Sequence, residues 1–390
     1  MQKLNYYSKN HMEHTFTANI RQILHKHFGK KADEVYALSQ LIQYINEKTR
    51  SAGRGSKARS SFASLYALYV VIEDYLEHGY DKKTGYSGYE GAYFQRLFTR
   101  QRKLPFGEKL QNHALNNRMN AEFQKYFPNS EFIPILRNLE TKRYWINENL
   151  LKISINSKYI NIAKAVIEII DEYIQTKQDA FKNFIKSCEQ LLKIHNKTPE
   201  KVKEFILSLA APNVDARLFE ITGYAILKYY YNNKKIIWGF EGETLQTDSL
   251  KLFKTGRTNA NDGGIDFVMR PLGRFFQVTE TLDFKKYFLD IDKVEKYPIT
   301  FVIKSNETIS QLEKKIRENA FKSYSIKAIV EKYMSCVEEI INIPLLSERF
   351  NESVKQGYLK KILNEIIVQS KVEFNYVGDD ADDIDGEEES

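Results

Sequence analysis

Cysteine is nearly missing from this chain: of 390 residues only Cys188 and Cys336 carry a thiol. Neither belongs to a Cys-x-x-Cys pair or has a histidine at metal-ligand spacing, which argues against a disulfide framework and a zinc site. Each is expected as a small core residue of a reduced, cytoplasmic protein. Long apolar runs are missing too. No stretch of eighteen apolar residues occurs, and the opening Met1-Gln2-Lys3-Leu4-Asn5-Tyr6-Tyr7 has no signal core, so neither secretion nor membrane insertion is expected. The histidines form no ligand set; His11 with His14 and His25 with His27 read as surface or capping residues. No internal repeat is visible.

What is present is material for a core and an imbalance of charge. Hydrophobic residues make up 42% and aromatics 13%, enough for a substantial core in a chain long enough for two or three domains. The net charge of +7 understates how basic the body is. Asp379, Asp380, Asp382, Asp383, Asp385, Glu387, Glu388 and Glu389 crowd the tail, so over residues 1–378 the 58 cations face 43 acids, a net +15. Such a body attracts polyanions, because each phosphate contact releases counterions. The tail is expected to be disordered, aiding solubility or competing for a basic groove.

Residues 15–50 have the helical spacing of Ile20, Ile23, Leu24, Val35, Leu38, Leu41 and Ile42. The loop from Arg50 to Ser61 follows, with Arg50, Arg54, Lys57 and Arg59 among glycine and serine and no acid. Small residues let its backbone approach a phosphate, and a helix over Ser61–His78 would point its N–H groups to the same place. Arg96, Arg100, Arg102 and Lys103 form a second basic cluster after Tyr86, Tyr89, Tyr93 and Phe94, a mixture suited to phosphates and stacked bases. Asn112, Asn116, Asn117 and Arg118 are further candidates for reading base edges. Residues 150–205 read as lysine-rich amphipathic helices, with Ile162, Val166, Ile169, Ile170 and Tyr173 in one stripe.

The segment Gly263-Gly264-Ile265-Asp266 through Glu280 holds the densest chemical signal. Ile265–Met269 and Arg274–Thr279 are β-prone runs, and Pro271 and Gly273 between them are turn residues. With an even loop centred on Pro271-Leu272, Arg270 faces Gly273 and Asp266 faces Gln277; an odd loop with a bulge would slip this by one residue. Opposed side chains on one face have Cβ atoms about 5 Å apart, so a carboxylate and an amide carbonyl would converge as a shared cation requires. Glu280 falls on the opposite face from Gln277 by alternation. A helix over Asp215–Tyr231 carries Glu220 on a stripe with Gly223, Tyr224 and Leu227, facing the interior or a site. Ile236–Phe240 reads as an earlier strand, Ile299–Ile303 as a strand buried on both faces, and Glu307–Lys322 as a helix.

Gly-Gly-Ile-Asp, a turn, and an apolar strand with Gln277-Val278-Thr279 resemble the active-site hairpin of PD-(D/E)XK nucleases, in the branch with a GGID, spacer, QxK pattern. The likeness covers one hairpin, or roughly 110 residues with its flanking elements. It implies an α+β or α/β fold: a C-terminal nuclease core with a central mixed sheet flanked by helices, after a mostly helical N-terminal region. The implied organisation is a DNA-recognition region over 1–150, a helical connector over 151–205, the nuclease core over 206–330, C-terminal helices over 331–378 and a disordered acidic tail over 379–390. Asp266, Gln277 and Glu220 would hold Mg²⁺, and Glu220, Asp266, Gln277 and Thr279 would form the catalytic set. Thr279 departs from the pattern, since it stands where the family has lysine and brings no charge. Arg274, Lys285, Lys286, Lys228 or a second metal ion are the candidate substitutes.

The function implied is a Mg²⁺-dependent type II restriction endonuclease cutting double-stranded DNA in a prokaryotic cytoplasm. A homodimer on a two-fold site would be its partner state, with a cognate DNA methyltransferase in the same system. The alternatives are an Mrr-like endonuclease specific for modified DNA and a DNA-binding protein that keeps the fold without the chemistry.

Overall fold

A computed structural model of the chain describes residues 13–50, 52, 58–108, 110–240, 244–255, 265–280, 284–293 and 296–374. Arg54, Lys57, Gly263, Gly264 and the acidic tail lie outside the described residues, as do the side chains of Arg59, Lys285 and Lys286. The fold is mixed α/β. Residues 1–182 and 183–390 form two compact units.

The first unit opens with helices α1 (Thr17–Phe28), α2 (Ala32–Leu38), α3 (Gln40–Thr49) and α4 (Ala58–Glu77). Ser39 starts α3 by accepting from the Ile42 N–H at 3.1 Å, the usual way a hydroxyl satisfies an unpaired donor at a helix start. Ile20, Leu24, Val35, Leu41 and Ile42 are buried as their spacing predicts. Strand β1 (Ala92–Tyr93) leads into α5 (Phe94–Lys103), and a π-helical turn at Ala114–Arg118 leads into α6 (Met119–Tyr126). β2 (Ile135–Asn138) and β3 (Arg143–Ile146) join β1 in an antiparallel sheet ordered β1-β3-β2.

Residues 152–161, predicted as helix, are a hairpin of β4 (Lys152–Ile155) and β5 (Lys158–Asn161). Two physical signals explain it: Ile153 and Ile155 alternate inward, and Asn156-Ser157 turn with φ of 50° and 61°, a left-handed conformation that asparagine tolerates. α7 (Ala163–Ile194) follows, and the division between the units falls within it.

The second unit continues with α8 (Pro199–Ser208) and α9 (Ala216–Tyr231). Asp215 caps α9, its carboxylate accepting from Arg217 N at 2.7 Å and Leu218 N at 3.2 Å. Among the described residues β6 (Lys235–Trp238) pairs with β7 (Gln246–Ser249) alone, in a two-stranded sheet. The strand expected at Ile236–Phe240 is therefore not the one beside the hairpin; that place belongs to β8 (Lys251–Lys254).

β9 (Phe267–Arg270), β10 (Arg274–Thr279), α10 (Phe284–Lys293), β11 (Ile299–Ile303), α11 (Ile309–Tyr324), α12 (Lys327–Met334), β12 (Val337–Ile341), α13 (Ile343–Lys355) and α14 (Leu359–Phe374) complete the unit. The main sheet runs β12-β11-β10-β9-β8. β8, β9 and β10 are antiparallel neighbours, while β10, β11 and β12 run parallel. The five residues of β11 are buried throughout, as its apolar run predicts for a strand covered on both faces. β12 lies in a segment predicted to be wholly helical. Its Glu338 and Glu339 interrupt the apolar pattern, and the sheet neutralises them with Arg274, at 3.2 and 2.7 Å.

Two helical layers cover the sheet. On one face Phe267, Met269, Phe276 and Val278 pack with buried residues of α9, α13 and α14. On the other, Phe301 and Ile303, with Phe275 at their margin, pack against α10, α11 and α12. Burying each phenylalanine contributes about 1.5–3 kcal/mol. The same packing decides which face each polar residue of β10 presents.

Candidate active site

The hairpin has the register read from the sequence. Arg274 pairs with Met269, Phe275 with Val268 and Phe276 with Phe267, and Gly273 closes the turn at φ +67°, where a Cβ would be strained. Asp266 stands at the open end, just before β9. Its N–H donates to the Phe276 carbonyl at 2.9 Å and its carbonyl accepts from Thr255 N at 3.1 Å. The next rung is unusual: the Val278 N–H donates at 2.7 Å to the Asp266 carboxylate, so a side chain continues the ladder where a backbone carbonyl would otherwise stand.

Gln277 meets it there. Its Nε2 donates to the Val278 carbonyl at 3.2 Å. In an extended residue N–H and C=O point the same way, so the Asp266 carboxylate and the Gln277 amide both lie against the β9-facing edge of Val278. Gln277 is 6% exposed, and its Oε1 has no hydrogen-bond partner among the described residues. A buried carbonyl without a donor is costly, about 1–3 kcal/mol, and an arriving cation would satisfy it.

Thr279 points to the face covered by α10. It is buried and shares a hydrogen bond with the Tyr287 hydroxyl, whose pKa is raised, above all by burial. Glu220 belongs to the other face. Its carboxylate lies 2.9 Å from the Lys254 ammonium, and Lys254 is the register partner of Phe267, which packs with α9. The hairpin thus brings Asp266 and Gln277 together, while the sheet separates Glu220 from Gln277 and Thr279. Among the described residues no group of three or more His, Cys, Asp or Glu is arranged to hold a metal ion.

The substitutes considered for the motif lysine are tied elsewhere. Arg274 is paired with Glu338 and Glu339 at the turn end of β10, and Lys228 with Glu365 at 2.8 Å. Two lysines that sequence reasoning missed lie at the open end instead. One is Lys254. The other is Lys304, just beyond β11, whose side chain is 7% exposed and ion-paired with Glu280; its Nζ also donates to the Val214 carbonyl at 2.6 Å, beside the start of α9. Glu280 therefore lies on the α9 face, opposite Gln277 as alternation predicts, and so on the same face as Glu220. Neither lysine stands at the motif spacing, and only strand pairing reveals them.

The basic cluster of the first unit is largely neutralised. Arg96 pairs with Glu77 at 2.6 Å and Asp74 at 3.5 Å, and Arg100 with Glu73 at 2.7 Å. Arg50 lies 3.9 Å from Glu47. Arg102 donates to the Glu108 carbonyl at 2.6 Å, but it and Lys103 are exposed. Tyr86 and Tyr89 pack with Tyr75 and Tyr80 rather than facing solvent, whereas Tyr93 is exposed beneath Arg143. Asn116 accepts from Tyr144 at 2.9 Å, and Asn117 and Arg118 are exposed.

Both cysteines are buried and unpaired by disulfide, as their isolation in sequence predicts. No described helix is long and apolar enough to cross a membrane. No protein-family model, curated protein or solved structure matches the chain.

Proposed function

We propose that the second unit is a Mg²⁺-dependent DNA endonuclease core of the PD-(D/E)XK type, acting as a type II restriction enzyme. One observation carries the reading: the Asp266 carboxylate and the Gln277 amide, whose buried Oε1 is unsatisfied, are both anchored on Val278, at the open end of the hairpin. The order α9, β8-β9-β10 meander, α10 and parallel β11 supports it, since it has the helix, strand, hairpin, helix, strand succession of such a core.

The residues fit the ion. Mg²⁺ takes oxygen ligands and commonly keeps only one or two carboxylates, leaving the rest to water and phosphate. Asp266 and Gln277 would hold it; Glu220, on the other face, would steady the Asp266 end through Lys254 rather than share the shell with Gln277. When bound, the ion would supply Lewis acidity and an activated water for in-line attack on a phosphodiester. Val278, through its N–H, fixes the direction of the Asp266 carboxylate. Thr279 holds Tyr287 rather than a proton of the reaction. A two-fold dimer would cut both strands, and a methyltransferase of the same system would protect host DNA.

A second reading, a DNA-binding protein that keeps the fold without the chemistry, is favoured by Thr279 lying buried against Tyr287 at the lysine position. The test is digestion and gel-shift of unmethylated and methylated plasmid, with and without Mg²⁺. Discrete Mg²⁺-dependent fragments from unmethylated DNA are expected. Cutting of methylated DNA alone would reassign the protein to modification-dependent nucleases, and binding without cutting would establish the second reading.

A further inference from the structure

Resting on the nuclease reading above, we propose that Asp290 of α10 is the second carboxylate of this centre, joining Asp266 and Gln277 in holding the divalent ion where Glu220, across the sheet, cannot. Asp290 lies on the face of the sheet to which Gln277 and Thr279 point. α10 joins β10 to β11, and because those strands are parallel the helix runs back over them, from the Thr279 end towards Arg274.

Tyr287 marks the level. Its hydroxyl shares a hydrogen bond with Thr279, and its ring centre stands 4.7 Å from that of Phe301, the register partner of Gln277. Asp290 follows one turn later, about 4.5 Å further back, and Gln277 lies about 7 Å back from Thr279 along the strand. The flank is set as well. Successive helical residues turn by about 100°, so Asp290 and Phe288 flank Tyr287 on opposite sides. Phe288 packs on Tyr324 and Tyr333 at 5.5 and 5.0 Å, in the helices that link β11 to β12; Asp290 therefore lies over β10 and β9.

Burial at that place points to a ligand. Asp290 is 2% exposed and Gln277 6%, and the Gln277 Oε1 has no hydrogen-bond partner among the described residues. The Asp290 charge is felt at the Tyr287 hydroxyl, whose pKa is raised by burial above all and by Asp290 besides. A carboxylate is expensive to bury, and coordinating a metal is one way to offset the cost. Asp266 is only partly buried, so the centre opens to solvent at the end of the hairpin, with Asp290 and Gln277 behind it. Two carboxylates and one amide carbonyl leave the other Mg²⁺ positions to water and phosphate oxygens.

The test uses full-length wild type, Asp290→Asn and Glu220→Gln, with calorimetric Mg²⁺ titration in the absence of DNA and single-turnover plasmid cleavage as readouts. Asp290→Asn matches the side chain in size and removes its charge. It should weaken Mg²⁺ binding at least about tenfold and slow cleavage, with part of the rate restored by more Mg²⁺. Glu220→Gln should leave Mg²⁺ affinity within about twofold of wild type. A brace for Tyr287 alone would change the stability of Asp290→Asn and leave its Mg²⁺ affinity unmoved. Wild type loaded with Fe²⁺ and treated with ascorbate, which cuts the backbone beside the ion, carries the test if the asparagine variant fails to fold: scission is expected in α10 as well as at Asp266. Equal Mg²⁺ affinity in wild type and Asp290→Asn, or scission at Asp266 with none in α10, overturns this proposal only. Failure of wild type to cut DNA overturns the nuclease reading, and absence of Mg²⁺ binding by wild type overturns both.

Discussion

Gln277→Leu separates a residue kept for a ligand from one kept for the fold. Glutamine and leucine are close enough in size for the site to accept the change without a large cavity. Two contributions change. The unsatisfied Oε1 disappears, which relieves about 1–3 kcal/mol. The Nε2 bond to the Val278 carbonyl at 3.2 Å is lost and leaves that carbonyl without this donor, which costs about 1–3 kcal/mol. The two terms offset, so stability should be about unchanged, against the roughly 1 kcal/mol loss of an average substitution. In a unit of this size each kcal/mol moves Tm by about 2–4 °C. Urea and thermal unfolding with and without Mg²⁺ provide the assay. Wild type should gain about 1.4 kcal/mol at ten times its Mg²⁺ dissociation constant, and Gln277→Leu should lose most of that gain. A variant destabilised by more than about 1 kcal/mol, with its Mg²⁺ response intact, would refute the reasoning.

Lys48→Met should destabilise the first unit by about 2 kcal/mol at pH 7, less than the ~3–5 of a fully buried pair because Glu122 keeps 26% exposure. Burial works to raise the Glu122 pKa, but Lys48, Ser64 and Tyr44 together hold it below its ordinary 4.5. Its contribution is therefore present above that value and lost as pH falls through the lowered one; urea midpoints of wild type and variant should converge in acid, and a gap that persists there would contradict it. Exposed Arg102 and Lys103 are expected to contact DNA, so their joint replacement by alanine should lower the salt slope of binding by up to about two contacts. Arg96→Ala and Arg100→Ala, whose partners are acids of the same unit, should leave the slope unchanged and change thermal stability instead. Burial pushes the Cys188 thiol up to about 12, so an aromatic disulfide reagent should label it only on unfolding; rapid labelling of the native protein would refute its place in the core.

Local chemistry was legible in the sequence where one short segment decided the outcome. Pro271 and Gly273 punctuate the hairpin tightly enough to set its register, and Asp215 marks the start of α9 by its carboxylate alone. Strands whose identity depends on a distant partner were hidden. Val337–Ile341 carries two glutamates and becomes a strand because Arg274 waits beside it. Lys251–Lys254 is half lysine and pairs with β9 because the hairpin offers it an edge.

The face of the site was the least legible feature. Alternation correctly put Glu280 opposite Gln277, but a strand's own pattern does not say which helix lies over which face. Only packing reveals that α9 brings Glu220 to the side of Glu280. For the same reason Lys304 carried no sequence signal: its distance from Thr279 is 25 residues along the chain and one hydrogen bond across the sheet.

The most direct measurement of the central claim is the single-turnover rate of Mg²⁺-dependent plasmid cleavage by wild type and Asp266→Asn. Asparagine keeps an oxygen for the Val278 N–H and removes the charge, so fold and DNA binding should persist. Cleavage should fall by at least about 10²-fold if the carboxylate holds the ion. Equal rates in the two proteins would contradict a centre built on Asp266.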